Sequence, residues 1–475
     1  MVGVPGRSKA CVTCLKRKKR CDMEKPFCGT CRKARVECGG YHRPRIFINN
    51  TMEDHNKQLV EKERGPSRRV GDRNRSSSSG SDVALLTSLA KSAYQVKYMD
   101  LFWRLYLPNG QKLSAEVTRL ALGGWIDAIQ DLHGKETVLE KALLAMSVTA
   151  VARQEGDSFL KEEGRRLYGR ALQSASAAMK DPRRATSDGV LTAVRLFSFY
   201  EALFGQTTIA KEQTRSWQVH NEGDIALMTA RSPYTFISGY AHELFSDGRA
   251  NLAMSYLRRR KRIFLIEPEW KIIPWLEREK NPRDRLVDVL VDMTALFEDT
   301  DLMKACEDRY EKEYLRQQVT DGFIQLQQDL LAWQSLFAPD FRPFTELPGD
   351  VPAYELAGAH LMTMFWATAI VVSSNLGALC VPPGEEQDFG WDLDEFCGNI
   401  VRTIPFFCHP SMGLFRAHVI TYPLTVALHY ICAAGPTRLA EERRILADCL
   451  YDPACAGVRQ FIASTKEEYA QEFLK

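Results

Sequence analysis

Six cysteines fall within the first forty residues and form a repeat: Cys11-x2-Cys14-x6-Cys21, then six residues, then Cys28-x2-Cys31-x6-Cys38. A C-x-x-C turn brings two thiolates close enough to share a tetrahedral Zn²⁺, with Zn–S distances of about 2.3 Å. The six residues after it, roughly one and a half to two helical turns, return the chain to a third cysteine. Each half then offers three thiolates, one short of a closed site. Two metal ions can fill their coordination from six thiolates only if two thiolates bridge, and by symmetry these are Cys11 and Cys28. Two dications with six thiolates leave a net negative cluster. Lys16, Arg17, Lys18, Lys19 and Arg20 lie between two ligands, where they offset that charge while facing outward.

Other uses of the cysteines fit less well. A disulfide framework needs an oxidising compartment, and the opening MVGVPGRSKA holds no apolar signal run. A redox C-x-x-C calls for a βαβ context, which neither Cys11 nor Cys28 has. A single four-thiolate site on Cys11, Cys14, Cys28 and Cys31 would strand Cys21 and Cys38. The expected cofactor is therefore two Zn²⁺ ions, held by Cys11, Cys14, Cys21, Cys28, Cys31 and Cys38.

The stretch CVTCLKRKKRCDMEKPFCGTCRKARVEC resembles the DNA-binding module of fungal zinc binuclear cluster (Zn2Cys6) transcription factors. The likeness includes the basic run before the third cysteine, Asp22 directly after it, and Pro26 before the fourth. The resemblance implies two short helices around the metal pair, the first entering the major groove at CGG-type triplets. It also implies Lys18 as the base-contacting lysine, with Arg17 and Arg20 beside it. Leu15 departs from the basic residue many members carry there. Elementary recognition chemistry agrees, since Lys or Arg to guanine O6 and N7 is the commonest specific major-groove contact while other basic groups hold phosphates. Lys25, Arg32, Lys33 and Arg35 extend the positive surface, and Arg43 and Arg45 are placed to reach phosphates. The DNA-binding set is thus Lys16, Arg17, Lys18, Lys19, Arg20, Lys25, Arg43 and Arg45.

Charge is partitioned along the chain. Lys and Arg outnumber Asp and Glu by 20 to 8 across residues 1–80 and are outnumbered 43 to 52 across the rest, a contrast hidden by the overall +3. A basic end on an acidic body fits nucleic-acid binding at one end. The stretch after the module carries Gly65-Pro66, many charges and the run Ser76–Ser79, the composition of a flexible linker. Within it Met52, His55, Leu59 and Lys62 make a poor seam for a dimerising coiled coil.

From Val83 onward, apolar residues recur at helical spacing. The pattern predicts helices across residues 83–107, 137–154, 159–180, 190–205, 286–310 and 355–379. The last is apolar enough to raise a membrane span, but His360, Ser373, Ser374 and Asn375 mark it as a buried core helix. WQVHNEGDIALMTARSP, EPEWKIIPW and YPLTVALHYI resemble, more loosely, segments of the helical regulatory region of the same family. In relatives that region serves regulation, partner contact and sometimes effector sensing.

Catalytic constellations are missing. The sequence has no phosphate loop, G-x-S-x-G or H-E-x-x-H. His220, His242, His360, His409, His418 and His429 are scattered, and His360 and His429 read as satisfied core residues. Cys306, Cys380, Cys397, Cys408, Cys432, Cys449 and Cys455 lack metal-type spacing. Glu298, Asp299 and Asp301 read as a solvated helix end rather than a divalent-metal site. The run Arg258–Arg262 reads as an exposed helix face before a second nuclear signal.

The expected architecture is a small Zn2Cys6 binuclear cluster module followed by a large all-α domain. Residues 7–45 form the DNA-binding domain, 46–82 a flexible linker and 83–475 a regulatory domain. The expected function is a nuclear, sequence-specific regulator of RNA polymerase II genes in a metabolic pathway. Its partners are double-stranded DNA and the transcription machinery or co-regulators, with no membrane and with homodimerisation left open. The competing class is a helical metabolite-binding or enzymatic protein carrying an accessory zinc module. RNA binding is disfavoured because stacking aromatics in the module reduce to Phe27.

Overall fold

Each C-x-x-C turn leads into a five-residue helix, α1 (Val12–Lys16) and α2 (Gly29–Lys33). The computed structural model describes residues 10–24, 28–36, 38, 79–121, 124–205, 210–344, 353–380, 390–435, 437–452 and 455–465. The chain divides into two compact units, residues 1–80 and 81–475. Lys25, Pro26, Phe27, Arg43, Arg45 and the coiled-coil positions Met52 to Lys62 lie outside the described residues.

In the second unit every regular element among the described residues is helical. Its first half runs α3 (Ser79–Tyr106), α4 (Ala115–Ala121), α5 (Gly124–Leu132), α6 (Thr137–Glu155), α7 (Ser158–Ala178), α8 (Pro182–Ala185), α9 (Asp188–Phe204), α10 (Ala210–Thr229) and α11 (Gly239–Arg259). Its second half runs α12 (Pro268–Ile272), α13 (Pro282–Ala305), α14 (Arg309–Phe337), α15 (Ala353–Cys380), α16 (Leu393–Cys408), α17 (Arg416–Ala433), α18 (Ala440–Tyr451) and α19 (Ala456–Thr465). Helix α3 takes in Ser79 to Asp82, the last residues of the stretch read as linker.

Local chemistry sets the boundaries. Asp157 ends the turn between α6 and α7 by accepting from the N–H groups of Phe159 and Leu160 at 2.8 and 3.0 Å, satisfying donors that a helix start leaves open. Helix α7 then buries only small residues, Gly164, Ala171, Ala175 and Ala178. A Cβ on Gly164 would stand 2.2 Å from Thr149 Oγ1, so α6 and α7 approach closely only because this residue has none. The periodic pattern across 286–310 is not one helix. It stops at Ala305, and Asp308 caps a new one by accepting from the Glu311 N–H at 2.8 Å. The side-chain cap outcompetes the apolar rhythm at this point.

Helix α15 is the centre of the second half, packed against α14, α16 and α17. The most apolar window of Glu355–Cys380 is 94% buried within the protein, so the length that would suit a membrane is used as core. The C-terminal helix α19 returns to α10, where Thr214 Oγ1 donates to the Ser464 carbonyl at 2.9 Å.

Candidate metal centre and nucleic-acid interface

The cysteine repeat folds as a structural repeat. The Cys14 N–H donates to Cys11 Sγ at 3.3 Å, and the Cys31 N–H to Cys28 Sγ at 3.3 Å. The Cys11 N–H donates to Cys21 Sγ at 3.4 Å, and the Cys28 N–H to Cys38 Sγ at 3.5 Å. Both helices also end alike. The Lys19 N–H reaches the Cys14 carbonyl at 3.0 Å and the Val36 N–H the Cys31 carbonyl at 3.1 Å. The residue before each, Lys18 (φ 51°) and Arg35 (φ 52°), is left-handed. This is a Schellman-type helix stop with a non-glycine residue at the left-handed position. The third cysteine is thus brought back by a one-turn helix and a reversal, not by the longer helix expected from the six-residue spacing.

The six sulfurs fall into two overlapping quartets, Cys11–Cys14–Cys21–Cys28 and Cys11–Cys28–Cys31–Cys38, with the ligand atoms of each within 4.8 Å of one another. The two residues common to both are Cys11 and Cys28, whose sulfurs are 3.6 Å apart. Cys14–Cys28 and Cys11–Cys31 are 3.6 and 3.8 Å apart. The edge of a tetrahedron with 2.3 Å Zn–S arms is about 3.8 Å, so the donor set fits zinc in type and in spacing. Cys11, Cys14, Cys28 and Cys31 have no exposed surface, whereas Cys21 and Cys38 are half-buried. Burial pushes the Cys14 thiol up to about 12 and raises Cys11 and Cys28 as well. Thiolates there require positive charge beside them, which is what a dication supplies.

Asp22 joins the halves. Its carboxylate accepts from the Gly29 N–H at 3.0 Å, the Glu24 N–H at 3.3 Å and the Thr30 hydroxyl at 3.2 Å. Desolvation opposes its ionisation, but the backbone donors at Glu24, Thr30 and Gly29 outweigh it and hold the carboxyl below its usual value. A Cβ on Gly29 would stand 2.7 Å from Asp22 Oδ2, so a larger residue at the start of α2 would push this carboxylate aside.

The side chains of Lys16, Arg17, Lys18, Lys19 and Arg20 are exposed. Among the described residues none of the five meets a carboxylate within ion-pair distance. Lys18 stands just beyond α1, at the reversal, not on the helix itself. On the other half Arg32 pairs with Glu24 at 2.8 Å, which sets it apart from that free run.

The second basic run is arranged differently. Arg258 and Arg259 close α11, and Arg260 (φ 53°) reverses the chain. Arg259 pairs with Glu222, Arg260 with Asp301 at 2.8 Å, Lys261 with Glu298 at 3.0 Å, and Arg262 with Glu298 at 2.7 Å and with Asp299. Arg258, Arg259, Lys261 and Arg262 are exposed as expected, but the helix ends at Arg259, and ion pairs join the run beyond it to the acidic residues of α13. Two other readings also change. Both ring nitrogens of buried His360 lack a hydrogen-bond partner among the described residues. Cys408 and Cys455 bring their sulfurs to 2.9 Å, which a 47-residue separation in sequence conceals.

Residues 9–45 match the fungal Zn(2)-Cys(6) binuclear cluster domain, and residues 117–255 match the fungal specific transcription factor domain. The chain therefore holds one stretch similar to each of these two domains, and the cluster domain is one that binds two zinc ions. Among curated proteins it is similar to Sterol uptake control protein 2 of Candida albicans, 46% identical over 44 residues that cover 9% of this chain and 6% of that protein. No solved structure matches the chain.

Proposed function

We propose that the protein is a sequence-specific DNA-binding transcription regulator of RNA polymerase II genes. The observation that carries this reading is the run Lys16–Arg20, exposed, without acidic partners among the described residues, and displayed from a six-thiolate centre. In this reading Cys11 and Cys28 bridge the two zinc ions while Cys14, Cys21, Cys31 and Cys38 complete the two sites. Lys18 contacts base edges of a CGG-type triplet in the major groove, and Lys16, Arg17, Lys19 and Arg20, with Lys25, Arg43 and Arg45, hold phosphates and set register. The metals supply charge and crosslinking in place of a hydrophobic core.

The helical body acts as the regulatory region, contacts co-regulators and works in the nucleus rather than as an enzyme. The likeness to the sterol uptake control protein spans only the metal module, so it bears on how DNA is read and leaves the controlled pathway a separate question. Selection of bound sequences from a random duplex pool by the zinc-loaded protein tests the reading. Enrichment of CGG-type triplets at one or two spaced half-sites is expected. Recovery of no common motif would overturn sequence-specific reading, and the spacing of half-sites reports on homodimerisation.

A further inference from the structure

Three thiols outside the metal module gather at one place in the helical body. Cys408 is the last residue of α16, Cys449 lies on α18, and Cys455 stands directly before α19. Cys408 and Cys455 bring their sulfurs to 2.9 Å, and Cys408 also hydrogen-bonds Cys449. A shared zinc ion would hold two sulfurs about 3.8 Å apart, close to the 3.6 and 3.8 Å of the module and unlike this pair. Among the described residues the sets of three or more ligand atoms within 4.8 Å of one another are the two quartets of the module, so this trio lacks the mutual spacing of a metal site. Its closest contact is instead within about one ångström of an S–S bond, about 2.05 Å long.

The three thiols differ in exposure and in acidity. Cys408 and Cys455 are buried, 8% and 1% exposed, whereas Cys449 is half-buried. The hydrogen bond with Cys408, aided by the Arg416 guanidinium, holds Cys455 below the ordinary thiol value against its burial. Cys408 is pushed the other way, by its hydrogen bonds with Cys449 and Cys455 and then by burial. Arg416 is itself fixed, its Nη1 donating to the Cys408 carbonyl at 2.9 Å and its Nε to the Gly413 carbonyl at 2.7 Å. Cys455 thus has thiolate character, the attacking form in disulfide chemistry, and Cys449 is where a small solute reaches the trio.

We propose that Cys408 and Cys455 form a reversible disulfide when the protein meets a hydroperoxide, with Cys449 as the thiol that the oxidant strikes first. At Cys449 an S–O bond forms and the O–O bond breaks. The alcohol or water leaves with the thiol proton, so the sulfur is oxidised to a sulfenic acid and the peroxide is reduced by two electrons. The Cys408 sulfur then displaces that oxygen, which departs as water with the Cys408 proton, and a Cys408–Cys449 bond forms. Cys455 attacks Cys408 in turn: the Cys408–Cys455 bond forms, the Cys408–Cys449 bond breaks, and Cys449 leaves with the Cys455 proton. The product ties the end of α16 to the start of α19, whose far end meets α10 through Thr214 and Ser464. In a reducing compartment a disulfide of this kind is transient and redox-sensing. This holds whether or not the module reads the DNA proposed above.

The test uses full-length, zinc-loaded protein and hydrogen peroxide, followed by alkylation of the remaining thiols and mass spectrometry. Digestion with trypsin and with a protease that cuts before Asp452 separates Cys449 from Cys455, so the two partners of Cys408 are told apart. A Cys408–Cys455 crosslink reversed by dithiothreitol is expected. The melting temperature of the body should rise with it, because the link closes a 47-residue separation. Cys449→Ser should slow its formation by roughly tenfold or more, since the remaining pair is buried. Cys455→Ser should halt the sequence at a Cys408–Cys449 crosslink. Absence of the Cys408–Cys455 crosslink in the wild type, or sulfinic acids in its place, would overturn the pair, and that readout needs no variant to fold. An unchanged rate in Cys449→Ser would overturn the entry thiol. A crosslink with no shift in melting would overturn the tie between α16 and α19. A third zinc ion per chain that Cys408→Ser removes would overturn the disulfide in favour of a metal.

Discussion

Residues 16–20 and 258–262 are both unbroken runs of five basic residues, and the fold treats them in opposite ways. The first is displayed from a metal centre with no carboxylate at ion-pair distance among the described residues. The second is split by a left-handed reversal at Arg260, beyond which Glu298, Asp299 and Asp301 of α13 take up Arg260, Lys261 and Arg262. A field that steers a polyanion needs charge that is not already cancelled nearby. The lesson is that a basic run becomes an interface through what it lacks around it, and its own residue types do not settle that.

Chelation separates the two regions most strongly. Structural zinc sites contribute on the order of 10 kcal/mol to their own folding. A strong chelator should therefore release two zinc ions per chain, unfold the module and abolish duplex binding, while the melting transition of the body persists. A released metal count of one would break the two-zinc centre on which the contrast rests.

Acid tests the body alone if the protein is first chelated. Burial holds His220 down to about 4, His360 to about 3, with Arg283 and His418 adding to it, and His418 to about 4. Each is neutral in the fold and takes up a proton more readily when unfolded, where its value is about 6.5. Their stabilisation is complete above about pH 6.5 and falls as pH drops toward 4, by up to about 1.4 kcal/mol per pH unit for each group. Asp247 works in reverse, because burial raises it to about 6 against the pull of Arg283 and the Trp125 N–H. Its share favours the fold as pH falls from about 6 toward 4 and softens the decline. A melting temperature that stays flat from pH 7 to 4 would contradict the burial of these rings.

Lys18→Ala is expected to cost about 1–3 kcal/mol on a selected duplex and much less on a scrambled one. Arg262→Ala should leave both affinities unchanged in a titration at fixed salt. Equal losses for the two variants would erase the distinction between a free and a quenched run.

The smallest effect comes from Glu298→Gln. Hydrogen bonds from Arg262 and then Lys261 hold the Glu298 carboxyl down to about 2. Its folded value lies below the unfolded one, so the carboxylate's contribution is present above about pH 4.5 and lost as pH falls toward 2. At neutral pH it quenches the run. The substitution should lower body stability by about 1 kcal/mol or less. It should also raise weak, sequence-independent duplex binding with a steeper salt dependence. Unchanged salt dependence would show that Asp299 and Asp301 suffice.

Legibility in the sequence followed distance along the chain. The cysteine repeat, the basic run and Asp22 could be read because each relation spans fewer than a dozen residues or repeats at a fixed interval. Core helices such as α6 and α15 were legible from apolar content. The break at Cys306–Asp308 was not, since one aspartate cap overrode a continuing periodicity. The Arg260–Asp301 pair, the Cys408–Cys455 contact and the unpartnered nitrogens of His360 and His418 join or depend on residues far apart, and no local pattern announces them.

By itself the sequence determined the metal chemistry, because thiolate number and spacing leave few ways to complete two tetrahedral sites. It also determined that the body is helical, because helical periodicity is a local property. Only the tertiary structure decided which basic run stays free, which acids the other run meets, and which ring nitrogens are buried without a partner among the described residues. Those outcomes depend on which surfaces of distant helices come together, and electrostatic cancellation and burial exist only after that packing.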